Sequence, residues 1–243
     1  MVHAIIRRRW SALAGFHIQM KDDNSINAVI FDMDGLMLDS QRTATKALKN
    51  AVSYYGYSLN DEANLLLVGR NRRDSNEIMR SIFGLEFPID SIRKYARQLF
   101  YEYVKDDGIP IKTGLLKLLD FLDEKNISTA VATSTNRDDC IANLDKCNLT
   151  NRFKIIVCGD EVALGKPEPD LFLKVSELLQ VAPKFCVVLE DSYAGIRAAQ
   201  SAGMIPIMVP DLIEPTDEIK SLAHIVLPSL NEAKLEIENL ICD

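Results

Sequence analysis

Two carboxylates stand two residues apart in FDMDGLMLDS, Phe31 to Ser40, at the end of an apolar run. The run NAVIF reads as a buried β-strand, so Asp32 and Asp34 emerge near its carboxyl end and can face the same way. Carboxyl ends of strands are where α/β proteins place their chemistry. Gly35 allows a sharp turn after the pair, while Leu36, Met37 and Leu38 are too apolar for an ordinary solvated turn. Taken alone, the motif is also compatible with an acidic loop and a helix cap at Asp39 or Ser40.

Three further segments carry groups that suit a phosphate. VATSTNRD places Thr133, Ser134, Thr135 and Asn136 after a strand-like run, giving hydroxyls, an amide and backbone N–H groups at a helix start. Taken alone, a Ser/Thr run of this kind is more often a plain helix cap. LGKPEPD sets Lys166 on a proline-bounded loop, where its ammonium can neutralise a phosphate and orient a carboxylate. VVLEDSYAGIRAA ends a strand-like run in Glu190 and Asp191 and starts a helix at Ser192; two acids exceed what capping needs. Gathering Asp32, Asp34, Glu190 and Asp191 at one sheet edge concentrates charge that a divalent metal would relieve. All-oxygen ligands favour Mg²⁺, which binds few carboxylates, keeps waters and bridges to phosphate.

The elements that must position these groups follow from the hydropathy pattern. Apolar, β-branched runs predict parallel strands over Asn27–Asp32, Ser128–Thr133, Phe153–Cys158, Phe185–Glu190 and Ile205–Val209, with a weaker sixth at His224–Leu227. Between the later strands, helices are expected over Arg137–Cys147, Pro169–Gln180 and Ser192–Ala202, the last ending at Gly203 and the middle one opening on Pro169. The alternation implies an α/β fold with a three-layer, Rossmann-like core, a parallel sheet and right-handed crossovers. Residues 42–108 break this rhythm with helical patterns at Thr43–Tyr55, Asp74–Phe83 and Ser91–Lys105 and no comparable strand. The expected division is an extension at 1–24, a core at 25–41 and 109–243, and an all-helical insertion at 42–108, rejoining the core near Gly108-Ile109-Pro110.

Composition narrows the function class. An apolar fraction of 47% over 243 residues is that of an ordinary globule with one good core and a second small unit. No apolar stretch approaches the ~20 residues that span a bilayer. A net charge of -7 argues against nucleic acid or an anionic membrane as partner, but leaves room for a small anion in a local cationic pocket. The five cysteines, Cys140, Cys147, Cys158, Cys186 and Cys242, form no C-x-x-C pair and read as reduced thiols of a cytoplasmic protein. The histidines, His3, His17 and His224, lie far from every motif, so a histidine triad or metal site has no support. MVHAIIRRRW opens a mixed stretch that makes a poor signal peptide, and Met20, just before the polar KDDNS, is expected to be the natural start.

With DMDGLMLDS, VATST, GKPEPD and LEDSYAGIRAA in this order, the chain from about residue 26 onward resembles the haloacid-dehalogenase-like superfamily, in the helical-cap subgroup of β-phosphoglucomutase and the small sugar-phosphate phosphatases. The resemblance implies that Asp32 attacks phosphorus to form an aspartyl-phosphate and that Asp34 serves as acid, then base. It further implies that Thr133 and Lys166 contact phosphate, and that Glu190 and Asp191, with Asp32 and the Asp34 carbonyl, hold Mg²⁺. Dehalogenating members lack the second aspartate, so phosphoryl transfer is expected. In LVGRNRRDSNEIM, Arg72 resembles the cap arginine that binds the substrate's distal phosphate or polar end, while Arg70 and Arg73 read as solvated.

Mutases of the subgroup carry a histidine soon after the first motif, where this chain reads QRTATKAL, so the expected activity is a phosphatase acting on a small phosphomonoester. The alternatives are a phosphosugar mutase and a catalytically silent phosphometabolite-binding protein. A dinucleotide enzyme would need G-x-G-x-x-G after the first strand, which is missing. The state expected by default is a monomer.

Overall fold

Ala28–Phe31 is buried on both faces of a sheet, and that one strand, β1, organises the molecule. The computed structural model describes residues 26–242 apart from positions 69, 71 and 107, so the expected N-terminal extension and the start at Met20 lie outside the described residues. After β1 come four helices without a strand between them: α1 (Gln41–Tyr54), α2 (Asp61–Leu65), α3 (Arg72–Phe83) and α4 (Ile89–Tyr103). The chain then alternates through α5 (Leu115–Glu124), β2 (Ser128–Thr133), α6 (Arg137–Lys146), β3 (Ile155–Cys158), α7 (Asp170–Leu179) and β4 (Cys186–Glu190). It closes with α8 (Tyr193–Ser201), β5 (Ile205–Met208), α9 (Asp217–Leu222), β6 (Ile225–Val226) and α10 (Leu230–Cys242).

The six strands are parallel in the order β3-β2-β1-β4-β5-β6, with Val29 opposite Thr129 on one side and Val187 on the other. Because side chains alternate along a strand, Val29 and Phe31 point into a cluster with Leu118 and Leu122 of α5, Leu144 of α6 and Ile237 of α10. Ala28 and Ile30 point the other way, onto Phe172 and Val175 of α7 and Ala198 of α8. Both sheet faces are therefore covered, as an all-parallel sheet requires. Helices α1, α3 and α4, with Phe87 from the loop between the last two, build a separate apolar cluster from Ala51, Val52, Met79, Phe87, Ile89 and Ile92.

The strand order reverses at β1, whose neighbours β2 and β4 lead away on opposite sides. That switch opens a crevice beyond the carboxyl ends of the three central strands. Among the described residues, no helix is long and apolar enough to cross a membrane. Cys140, Cys147, Cys158 and Cys186 are free thiols.

Candidate active site

Asp32 follows β1 directly, Thr133 ends β2, and Glu190 ends β4 with Asp191 next to it. Lys166 comes from the loop between β3 and α7, so the four segments singled out in the sequence converge at the switch point. The Lys166 ammonium is 1% exposed and donates to Asp32 Oδ1 at 2.5 Å, to Glu190 Oε1 at 2.5 Å and to the Ala132 carbonyl at 3.0 Å. Its stem end also lies against Phe172, the Nζ being 5.2 Å from the ring centroid. Glu190 is saturated: its second oxygen, Oε2, accepts from the Ser192 N–H and hydroxyl, each at 2.9 Å. Ser192 in turn accepts from Gly195 N–H and caps α8. A Cβ at Gly195 would lie 1.9 Å from the Glu190 carboxyl carbon, so only glycine lets the helix start this close.

Asp34 is oriented by two hydroxyls: Ser40 Oγ donates to Oδ1 at 2.5 Å and Thr135 Oγ1 to Oδ2 at 2.6 Å. Thr135 is itself fixed through its N–H, which donates to Thr133 Oγ1 at 3.1 Å. Asn136 caps α6 by accepting from the Asp139 N–H. Thus Thr133 and Ser134 line the cavity, while the Thr135 hydroxyl is spent on Asp34.

The electrostatics follow from burial of several acids around one ammonium. Burial pushes the Asp32 carboxyl up to about 8 against the pull of Lys166, with Glu190 pushing further in the same direction. Asp34 is raised by burial, against the lowering effect of its bonds from Ser40 and Thr135. Burial, then Glu190 and Asp32, raise Asp191 well above the ordinary carboxylate range. Burial would lower Lys166, but Asp32 and Glu190 more than offset it, and it stays a cation.

Among the described residues, no three His, Cys, Asp or Glu side chains form a metal-binding group, so the four acids do not make a cage on their own. Glu190 is committed to Lys166 and Ser192, and both Asp34 carboxylate oxygens are committed to hydroxyls. A different oxygen set does converge: the Asp34 carbonyl and Asp191 Oδ2 lie 2.6 and 2.8 Å from a single nitrogen, Gln41 Nε2. Two oxygens aimed at one point beside Asp32 fit a hard cation such as Mg²⁺ that completes its shell with water.

A cavity of about 540 Å³ is lined by Asp32 and Asp34 and also by Arg70, Arg72 and Arg93. Arg72 is exposed, with Asp90 Oδ1 3.7 Å from its guanidinium. Arg70 bonds the Leu66 carbonyl, and Arg73 reaches Asp74 and the Ala163 carbonyl. Arg93 was not singled out by the sequence. Its Nε donates to Asn76 Oδ1 at 2.5 Å, but the buried Nη2 finds no partner among the described residues. Burial, then Arg72, lower it to about 10. The signal that could have found it is spacing: Arg93 and Arg97 stand one helical turn apart on α4, and both line the cavity. Gln41 was missed as well, although it directly follows Asp39-Ser40.

The chain is 31% identical over 183 residues to a phosphorylated carbohydrates phosphatase of Thermotoga maritima, covering 74% of this chain and 82% of that protein. It is 30% identical over 193 residues to a β-phosphoglucomutase of Bacillus subtilis, covering 76% and 83%. The crystal structure of CbbY from Rhodobacter sphaeroides in complex with phosphate superposes with a TM-score of 0.74 at 26% identity, covering 87% of this chain and 99% of that one. The family model of haloacid dehalogenase-like hydrolases matches residues 29–209, and the chain belongs to that family.

Proposed function

We propose that this chain is a Mg²⁺-dependent phosphatase that hydrolyses a small phosphomonoester, a sugar phosphate or similar metabolite, through an aspartyl-phosphate on Asp32. The enzyme is a phosphoric monoester hydrolase of the haloacid dehalogenase-like family. The observation that carries the mechanism is the unequal treatment of two neighbouring acids. Asp32 is clamped by an ammonium, whereas Asp34 is held only by hydroxyls. Environments that differ in this way assign different roles to a pair of carboxyls.

A carboxylate oxygen of Asp32 bonds to phosphorus as the bond from phosphorus to the alcohol oxygen breaks. Asp34 in its protonated form, which burial favours, delivers that proton to the leaving oxygen. As a carboxylate it then takes a proton from water, whose oxygen attacks phosphorus, releasing inorganic phosphate and freeing Asp32. Lys166 holds Asp32 in place and lends positive charge to the transferring group. Thr133 and Ser134, with the N–H groups at the start of α6, receive the phosphate oxygens. Asp32, Asp191 and the Asp34 carbonyl would hold Mg²⁺, which when bound supplies Lewis-acid charge stabilisation to the phosphoryl oxygens. Glu190 serves by fixing Lys166 and the start of α8.

The helices α1 to α4 act as a cap over the cavity, latched to the core where Arg97 Nε donates to Asp139 Oδ1 at 2.5 Å. Arg72 and Arg93 on this cap read the end of the substrate distal to the phosphate. The segment QRTATKAL lacks the histidine that would handle a sugar hydroxyl, which favours hydrolysis over mutase chemistry. Buried free thiols suit a reducing, cytoplasmic setting, and the reading needs only a monomer.

The test is phosphate release from a panel of phosphorylated sugars, polyols and nucleotides, with Mg²⁺ and with chelator. Metal-dependent release supports the reading. Isomerisation of β-glucose 1-phosphate without net release would replace it by the mutase.

A further inference from the structure

We propose that the Gln41 side-chain amide is a built-in substitute for the divalent cation, tying together the oxygens that would hold the ion and leaving them when it binds. This inference rests on the metal reading given above. Gln41 is the first residue of α1, and its Nε2 donates at once to the Asp34 carbonyl at 2.6 Å and to Asp191 Oδ2 at 2.8 Å. Those are two of the oxygens assigned to the cation, so the amide nitrogen and the ion compete for one position. An N–H₂ group is the neutral side-chain feature best suited to that position, because it offers two donors and partial positive charge to two acceptors.

Gly35 makes the arrangement possible. It turns with φ +95°, and a Cβ there would lie 2.2 Å from Asp191 Oδ2 and 2.4 Å from Gln41 Nε2. With no side chain in the way, the amide passes over the turn and reaches the acid.

The contact is also provisional. The Gln41 Oε1 is buried and has no partner among the described residues, so the amide satisfies its donors at the expense of its acceptor. An amide that is half satisfied gives way more readily than one bonded on both sides. Asp191 is 1% exposed and sits among Asp32 and Glu190, so a donor in this position is worth most when no cation is present.

Two consequences separate this role from that of a passive wall residue. Without metal, Gln41 stabilises the protein; with metal, it is a competitor whose occupancy of the site weakens apparent affinity by the fraction of time it is there. Glutamate at this position would reverse the first effect, adding a like charge beside Asp191, while attracting the ion.

The experiment compares the wild-type chain with Gln41→Met and Gln41→Glu by thermal unfolding in chelator and in saturating MgCl₂, and by calorimetric titration with Mg²⁺ alone. The expected result is that both variants melt below wild type in chelator, Gln41→Glu lowest. Both should also bind Mg²⁺ more tightly, by about tenfold for an amide that occupies the site most of the time. If wild type binds Mg²⁺ but the variants match it in chelator melting or in affinity, the substitute role is overturned while the metal reading stands. If wild type neither binds Mg²⁺ nor is stabilised by it, the metal reading itself fails and takes this inference with it.

Discussion

Lys166 bridges Asp32 and Glu190, its Nζ 2.5 Å from one oxygen of each, in a site where all three side chains are nearly sealed from water. The bridge joins the β1 and β4 ends through a residue from neither, and under the proposed mechanism the lysine serves both structure and chemistry. Removing one partner of a buried ionic group leaves uncompensated charge and costs about 3–5 kcal/mol. Lys166→Met is therefore expected to lose both turnover and stability, read as a lowered denaturant midpoint at constant slope. Lys166→Arg, which keeps the charge but not the compact donor, should recover part of the stability and little of the turnover.

Burial raises Asp32 to about 8 in the metal-free protein, above its ordinary value of 3.8. A carboxyl raised on folding binds its proton more tightly in the native state, so its contribution to stability falls as pH rises from about 4 to about 8. Asp32→Asn removes that titration. The variant's stability relative to wild type, measured in chelator, should therefore grow with pH across this window, exceeding about 1 kcal/mol by pH 8, the worth of a single pKa unit. A difference that stays flat between pH 5 and pH 8 would contradict this assignment.

Asp34 owes its aim to Ser40 and Thr135, and both bonds favour its ionised form. Asp34→Asn should reduce kcat by about 10²–10⁴, the usual worth of a placed acid and base. Thr135→Val is expected to have a milder effect with a distinctive signature: the limb of the pH–rate profile belonging to Asp34 moves to higher pH, because a bond to the carboxylate has been lost.

The fold was legible wherever burial alone dictates structure. Val29, Ile30 and Val187 to Leu189 are enclosed on both faces of the sheet, and such strands read as unbroken apolar runs. The α5 run LLKLLDFLDE and the closing helix α10 were not delimited from the sequence, nor was the five-residue α2, which is too short to show a period. The boundary of α1 shifted as well, from Thr43 to Gln41, because chain entry is set by tertiary contacts rather than propensity. At the site, Asp32, Asp34, Lys166 and Asp191 stood out because each belongs to a local run of improbable chemistry. Gln41 and Arg93 did not: Gln41 acquires its meaning from Asp191, 150 positions away, and Arg93 from the cavity it faces.

Arg93 lines the cavity with Arg72, and its buried Nη2 has no partner among the described residues. A charge-assisted bond to substrate is worth about 1.5–3 kcal/mol, so Arg93→Met should raise KM about 10- to 100-fold for phosphomonoesters that carry a second anionic group. Substrates with an uncharged distal end should be affected much less. Arg72→Ala, at a more exposed guanidinium, should act in the same direction with a smaller effect. Steady-state kinetics on a matched pair of substrates checks both.

The central claim is that phosphate passes through the Asp32 carboxylate. During turnover the enzyme is quenched with borohydride, which reduces an acyl phosphate to an alcohol, and the modified residue is located by peptide mass. Substrate-dependent reduction is expected at Asp32, and Asp32→Asn should show neither that reduction nor phosphate release. Near-normal phosphate release by Asp32→Asn, or modification at another carboxylate, would contradict it.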